Sequence, residues 1–251
     1  MSDCMETFKD ILYIVSMSTV TVMSVYYGYD HYKSTKSNTV LSYPARTLDD
    51  DSCTEKEKPT KIVTLKNDNT IVINGSIKYC VRDDFYKIIK KIPGTTKINL
   101  ILSTTGGLLS DCQNILKLLL NHPAGFDVYI KHYAMSGGTI IALGAKEIIM
   151  DKHSLLGKID ALHKQDEEYS THAIIRMDPN KKYKHEYSKY TINLIEYLVG
   201  LTSYPSETKG KIKQEMLYSE YIHCRMFDFD ECLKIGLNVR RPKDDELELL
   251  D

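Results

Sequence analysis

A chain of 251 residues, with 42% hydrophobic and 27% charged side chains, is long enough to bury one sizeable core and has an ordinary globular composition. Its formal net charge of −1, with no basic patch, gives no electrostatic ground for nucleic-acid binding. The six cysteines include no CxxC pair and no zinc-like His/Cys spacing, so no metal and no cofactor are expected, and the thiols fit a reducing compartment.

Residues 1–29 read as an N-terminal membrane anchor. Ile11 to Tyr29 is a run of 19 residues without a charge, and as a helix it would span about 28 Å, close to the hydrocarbon thickness of a bilayer. Tyr26, Tyr27 and Tyr29 at one end suit the interface, although Ser16, Ser18, Thr19, Thr21 and Ser24 dilute the run. Lys33, Lys36 and Arg46 follow the run, whereas Asp3, Glu6 and Asp10 precede it against Lys9. That bias predicts a single-pass protein with its C-terminal domain in the cytoplasm. Residues 30–60 are rich in Ser, Thr, Asp and Lys and read as a flexible linker.

The folded domain is expected over residues 61–243. Strands are predicted at 61–65 and 70–73, followed by a helix over 83–92 with Asp83 or Asp84 near its start and Phe85, Ile88, Ile89 and Ile92 on one face. A strand at 98–102 leads into Ser103-Thr104-Thr105-Gly106-Gly107, and Leu108, Cys112, Ile115 and Leu119 then recur at helical spacing. A strand at 126–131 leads into His132 to Gly138, a helix over 136–146 and a strand at 147–150. Helices over about 181–200 and 206–221 complete the domain, and the acidic tail 244–251 is expected to fray. Strands alternating with helices at this rhythm predict an α/β fold of repeated strand-turn-helix units with parallel pairing.

Chemistry concentrates in the two glycine-bearing turns. Side by side, they would offer backbone N–H groups to one developing negative charge, with Ser136 at the mouth of a helix beside them. That arrangement suits acyl transfer. The base must come from residues brought level with Ser136. A helix running out from Ser136 and a strand returning by about the same length bring 152–160 back to it. His153 suits general-base work at neutral pH with Asp160 to orient it, and Lys158 is a rival that could form a Ser–Lys dyad. The histidines His122, His163, His172 and His185 read as solvated loop or helix-face residues.

The runs INLILSTTGGLLSDCQNI and YIKHYAMSGGTIIALGAKEIIMDKHSLLGKID resemble the serine dehydrogenase proteinase family, relatives of the Clp protease and of signal peptide peptidase A. Tyr221-Ile222-His223 and Ile235-Gly236-Leu237 match the family's later elements, so the resemblance covers about residues 58–240. It implies a Clp protease/crotonase-like fold and a membrane-anchored serine peptidase. Ser136 would be the nucleophile, with the N–H groups of Gly107 and Gly137 as oxyanion hole. His223 matches a family histidine and is a third candidate base beside His153 and Lys158.

The sequence departs from the family pattern at three loop positions and at Lys158. Ser103 and Thr105 stand where the family has histidine and proline, and Ala161 where it has proline. Lys158 also replaces a proline. The implied partners are a protein or peptide substrate, with membrane proteins among the candidates, and a homo-oligomer is compatible. An acyl-CoA enzyme of crotonase type and a catalytically silent membrane scaffold are the alternatives on the same fold. No lysine-centred pyridoxal phosphate motif is visible, so the dehydrogenase in the family's name implies no such activity here.

Overall fold

Apolar residues on both faces of a short run dictate a strand buried between two layers, and the run from Ile98 supplies the centre of the sheet. The computed structural model describes residues 62–160, 162–164, 168–170, 182–219, 223 and 225–250. The anchor expected at 1–29 and the linker expected at 30–60 lie outside them. Among the described residues, no helix is long and apolar enough to cross a membrane.

The main sheet has eight strands: β1 (Val63–Leu65), β2 (Thr70–Asn74), β3 (Ile98–Thr104), β4 (Phe126–Ala134), β5 (Ile148–Met150), β6 (Leu155–Gly157), β9 (Met226–Phe227) and β10 (Val239–Arg240). Strands β2, β3, β4, β5 and β10 run parallel in that order, as the strand-helix rhythm predicts, and β1 closes one edge antiparallel to β2. Strand β4 forks. Its residues 128–130 pair with β5, whereas Tyr133 and Ala134 pair with β6, and β9 adds to β6 antiparallel. A separate hairpin of β7 (Leu162–Lys164) and β8 (Glu168–Ser170) follows β6.

Side chains alternate across β3. Ile98, Leu100 and Leu102 join the main core, which also takes Val81, Phe85 and Ile88 from α1 (Tyr79–Ile89) and Cys112, Ile115, Leu116 and Leu119 from α2 (Leu109–Leu120). Ile101 faces the other way, into a small cluster with Tyr129, Ile149 and Leu250. Helix α1 starts four residues before the expected Asp83, because the buried stripe begins at Val81 rather than at Phe85.

The remaining α-helices among the described residues are α3 (Gly137–Ala142), α4 (Lys182–Gly200), α5 (Ser206–Ile212), α6 (Phe229–Ile235) and α7 (Leu247–Leu250). Helix α5 continues as a π-helical segment, Lys213–Tyr218.

The acidic tail does not fray. Glu246 accepts hydrogen bonds from both terminal nitrogens of Arg240, at 2.6 and 2.7 Å, and from Tyr129 Oη at 3.1 Å. This clamp seats Leu250 on the small cluster of the sheet's second face. The acidic run misleads because its apolar partners, Leu247, Leu249 and Leu250, are too few to show periodicity. One smaller expectation also changes: His122 is buried, its Nε2 2.8 Å from the Thr96 C=O.

Candidate active site

Because β3 and β4 are parallel neighbours, the loops leaving their C-terminal ends lie at one edge of the sheet. Thr104, fully buried at the end of β3, ties the first loop together. Its hydroxyl donates to the Gly75 C=O at 2.6 Å and accepts from the Gly106 N–H at 3.0 Å, while its C=O accepts from the Met135 N–H at 2.9 Å. The two glycine turns are thus joined through one threonine.

Glycine is required at Gly106 for two reasons. Its φ of +89° is costly for a residue with a Cβ, and a Cβ there would lie 2.6 Å from Met135 O, 2.9 Å from Gly137 N and 2.9 Å from Ser136 Cβ. Gly107 forms an isolated parallel bridge with Ile77 through the Ile77 N–H to Gly106 C=O bond and the Leu108 N–H to Ile77 C=O bond. That pattern leaves the Gly107 amide off the ladder. Gly137 is the first residue of α3, so its N–H has no intrahelical acceptor. Gly107 N lies 3.8 Å from where a Gly137 Cβ would stand. Both amides therefore lie outside the regular hydrogen bonds of sheet and helix. Helix α3 spans only six residues instead of the expected run to Lys146.

Ser136 is the one non-glycine residue with positive φ among the described residues, at φ 50° and ψ −119°. Such a backbone costs about 1–3 kcal/mol and persists where surrounding bonds over-determine it. Here the Ser136 N–H donates to the Lys158 C=O at 3.0 Å, and its C=O accepts from the Ile140 N–H at 3.2 Å. Behind it, the buried Thr139 hydroxyl lies 2.7 Å from the Ala134 C=O and 2.9 Å from the Gly157 C=O, and it accepts from the Gly157 N–H at 3.2 Å. Ser136 thus sits half-buried on a sharp, strained strand-to-helix turn.

The segment 158–160 reaches Ser136 because it is held from both sides. The Lys158 N–H donates to the Arg225 C=O at 3.2 Å, and the Ile159 N–H to the Met216 C=O at 3.0 Å. Asp160 is fully buried, and its Oδ1 lies 2.7 Å from Nδ1 of His223, whose side chain is 19% exposed. Lys158, 1% exposed, places Nζ 2.9 Å from the Ser219 C=O and 3.5 Å from Asp160 Oδ2. Nζ thus lies between a carbonyl and a carboxylate oxygen.

Of the three candidate bases, His223 and Lys158 gather at Asp160 and His153 does not. His153 is exposed in the turn after β5, where its N–H donates to Asp151 Oδ1 at 2.6 Å. It stands five residues before Lys158, on the far side of β6 (Leu155–Gly157) in sequence. The expected pairing of Asp160 with His153 is therefore replaced by Asp160 with His223. Local spacing pointed to His153, whereas the true neighbour of Asp160 arrives from 63 positions later.

Thr104 and Thr139 are the supporting residues that sequence reasoning passed over, although both sit inside the quoted motifs. Cys112 packs against Gly137, where a Cβ would come within 3.0 Å of the cysteine Cβ. Burial pushes its thiol up to about 12, so it is no nucleophile. Among the described residues, no cluster of His, Cys, Asp and Glu could hold a metal ion.

Two uncharacterized proteins of Methanocaldococcus jannaschii are similar to this chain. MJ0137 is 28% identical over 203 residues, covering 73% of this chain and 69% of that protein. MJ1495 is 26% identical over 204 residues, covering 74% and 68% respectively. The family model for ClpP-like SDH-type serine proteinases matches residues 53–201, a span that holds both glycine turns, Ser136 and Asp160. With most of its length matched to that model and its strand-turn-helix edge built as described, the chain belongs to the ClpP-like SDH-type serine proteinase family.

Proposed function

We propose that this protein is a serine peptidase in which Ser136 is the nucleophile, His223 the general base and Asp160 the carboxylate that orients it. The observation that carries this reading is the 2.7 Å contact between Asp160 Oδ1 and His223 Nδ1, on the segment bonded to the strained Ser136. With Nδ1–H donated to Asp160, the lone pair of His223 is on Nε2, the tautomer a base needs. Lys158 is the weaker candidate, because a lysine base must be a neutral amine, whereas its Nζ stands 3.5 Å from the buried Asp160 carboxylate.

In the reaction, Ser136 Oγ attacks the peptide carbonyl carbon and its proton passes to His223 Nε2. The carbonyl oxygen becomes an oxyanion that accepts hydrogen bonds from the Gly107 and Gly137 amides. His223 then gives its proton to the leaving amine, and the acyl-enzyme forms as the C–N bond breaks. Water, deprotonated by the same imidazole, releases the acid and restores the serine. Losing one oxyanion donor costs about 3 kcal/mol of barrier in enzymes of this type.

The tether is inferred from the sequence alone. Residues 11–29 hold the chain in a membrane with the domain in the cytoplasm, so membrane proteins are among the substrates to test. Recovery of full-length protein in the soluble fraction would count against that anchor.

The test of the chemistry is turnover of an unstructured protein such as casein by the purified chain and four variants. Ser136→Ala, His223→Ala and Asp160→Asn should abolish or severely reduce it, while His153→Ala should not. Full turnover by His223→Ala would remove the base assignment. A folded chain that turns over no peptide would favour the acyl-CoA enzyme or the silent scaffold.

A further inference from the structure

A carboxylate oxygen buried without a hydrogen bond is costly unless a charge answers it. Asp160 Oδ2 is such an atom. It is buried and has no hydrogen-bond partner among the described residues, yet the Lys158 ammonium stands 3.5 Å away. The other oxygen, Oδ1, is engaged by His223 Nδ1 at 2.7 Å. One carboxylate is thus faced by two groups that can each carry a positive charge, one of them the proposed base. Left with Asp160 alone, an imidazole gains by taking a proton and forming an ion pair, which removes the lone pair it needs.

We propose that Lys158 is a positioning residue whose buried ammonium neutralises Asp160, so that His223 is held in orientation by the carboxylate without being driven to its protonated form. The proposal rests on the reading of Ser136, His223 and Asp160 given above.

The geometry singles out Lys158 among the charges nearby. Its side chain is almost wholly enclosed, and the Ser219 C=O at 2.9 Å fixes Nζ between that carbonyl and Asp160. Arg225, whose C=O takes the Lys158 N–H, directs its guanidinium to Glu231 and over the Phe227 ring. On the π-helical segment, Lys213 pairs with Glu196 at 3.3 Å, and Glu215 meets Ser219 through its backbone C=O. Lys158 is the cation that the structure sets against the free edge of Asp160. Removal of a unit charge at this range moves a neighbouring ionisation by about one pH unit or more.

The test follows the ring resonances of His223 against pH by NMR in the intact chain carrying Ser136→Ala, with exposed His153 as internal reference. Lys158→Gln keeps a donor for the Ser219 C=O but loses the charge, and should raise the His223 midpoint by about one pH unit. Lys158→Arg should leave it within a few tenths of a unit. Asp160→Asn with Lys158 intact should drop the His223 midpoint below that of His153, since the carboxylate that stabilises the imidazolium is then gone while the cation beside it remains.

A His223 midpoint unmoved in Lys158→Gln would overturn the proposal. If that variant does not fold, an Asp160→Asn midpoint at or above that of His153 overturns it instead. In chains that retain Ser136, Lys158→Gln should lose about tenfold in kcat/KM on the acid side and keep the alkaline plateau. Full activity in His223→Ala would defeat the base assignment while leaving the NMR result to decide the role of Lys158.

Discussion

Gly106→Ala tests whether the two glycine turns act as one unit. The added methyl group meets backbone at Met135 O, 2.6 Å, and Gly137 N, 2.9 Å, and the root of the serine side chain at Ser136 Cβ, 2.9 Å, none of which can swing aside. Ordinary contact begins at 3.4 Å, so the serine turn must retreat by about 0.8 Å to admit the methyl. The φ of +89° adds about 1–2 kcal/mol for a residue with a Cβ. Together with about 1–3 kcal/mol of overpacking, the domain should lose roughly 2–5 kcal/mol. For a domain of this size that is a fall of about 5–15 °C in Tm.

The functional loss should be larger in proportion, because a displacement of about 1 Å at a reacting centre costs on the order of 10²-fold in rate. Thermal unfolding followed by circular dichroism reads the first quantity. The rate of casein turnover at a temperature where the variant is fully folded reads the second. A Gly106→Ala protein with unchanged Tm and full turnover would refute the coupling of the turns.

Three further outcomes follow from particular contacts. Thr139→Val leaves the Gly157 N–H without the hydroxyl it donates to and should cost about 1–3 kcal/mol, read as a lower denaturation midpoint; Thr139→Ser should recover most of it. Burial pushes the Cys112 and Cys232 thiols up to about 12, so neither should react with iodoacetamide at neutral pH in the native chain. Mass spectrometry showing modification of either thiol without unfolding would contradict their burial.

The Glu246 carboxyl is held at about 2, below its ordinary 4.5, chiefly by its hydrogen bonds to Arg240 and against the opposing effect of burial. A lowered carboxyl contributes its full stability above the ordinary value and loses it as pH falls from about 4.5 towards 2. Glu246→Gln should start with a lower Tm and lose less over that window, and equal losses in both proteins would rule out the clamp.

Much of the fold is legible in the sequence because it rests on short-range patterns. The apolar run Ile98–Leu102 and the glycines after it specify a strand and turn locally, and parallel pairing follows from the alternation with helices. What was not legible depends on distant partners. The forking of β4 requires Leu155 and Leu156 to continue the ladder at Tyr133 and Ala134 after β5 has ended. The clamp on the tail joins Glu246 to Tyr129, which is 117 positions away. The candidate site divides in the same way. Ser136 and both glycines sit in contiguous motifs, whereas the partner of Asp160 was misassigned to His153 because sequence proximity suggested it. That imidazole meets the carboxylate from 63 positions further along the chain.

The central claim is that Ser136 is an activated nucleophile, and covalent labelling with a fluorophosphonate measures that without knowledge of the substrate. The intact chain should gain one phosphonyl adduct, mapped by peptide mass spectrometry to Ser136. Ser136→Ala should gain none, and His223→Ala should react slowly or not at all while keeping its fold. A chain that is folded yet unlabelled, or labelled equally well in Ser136→Ala, would contradict the account.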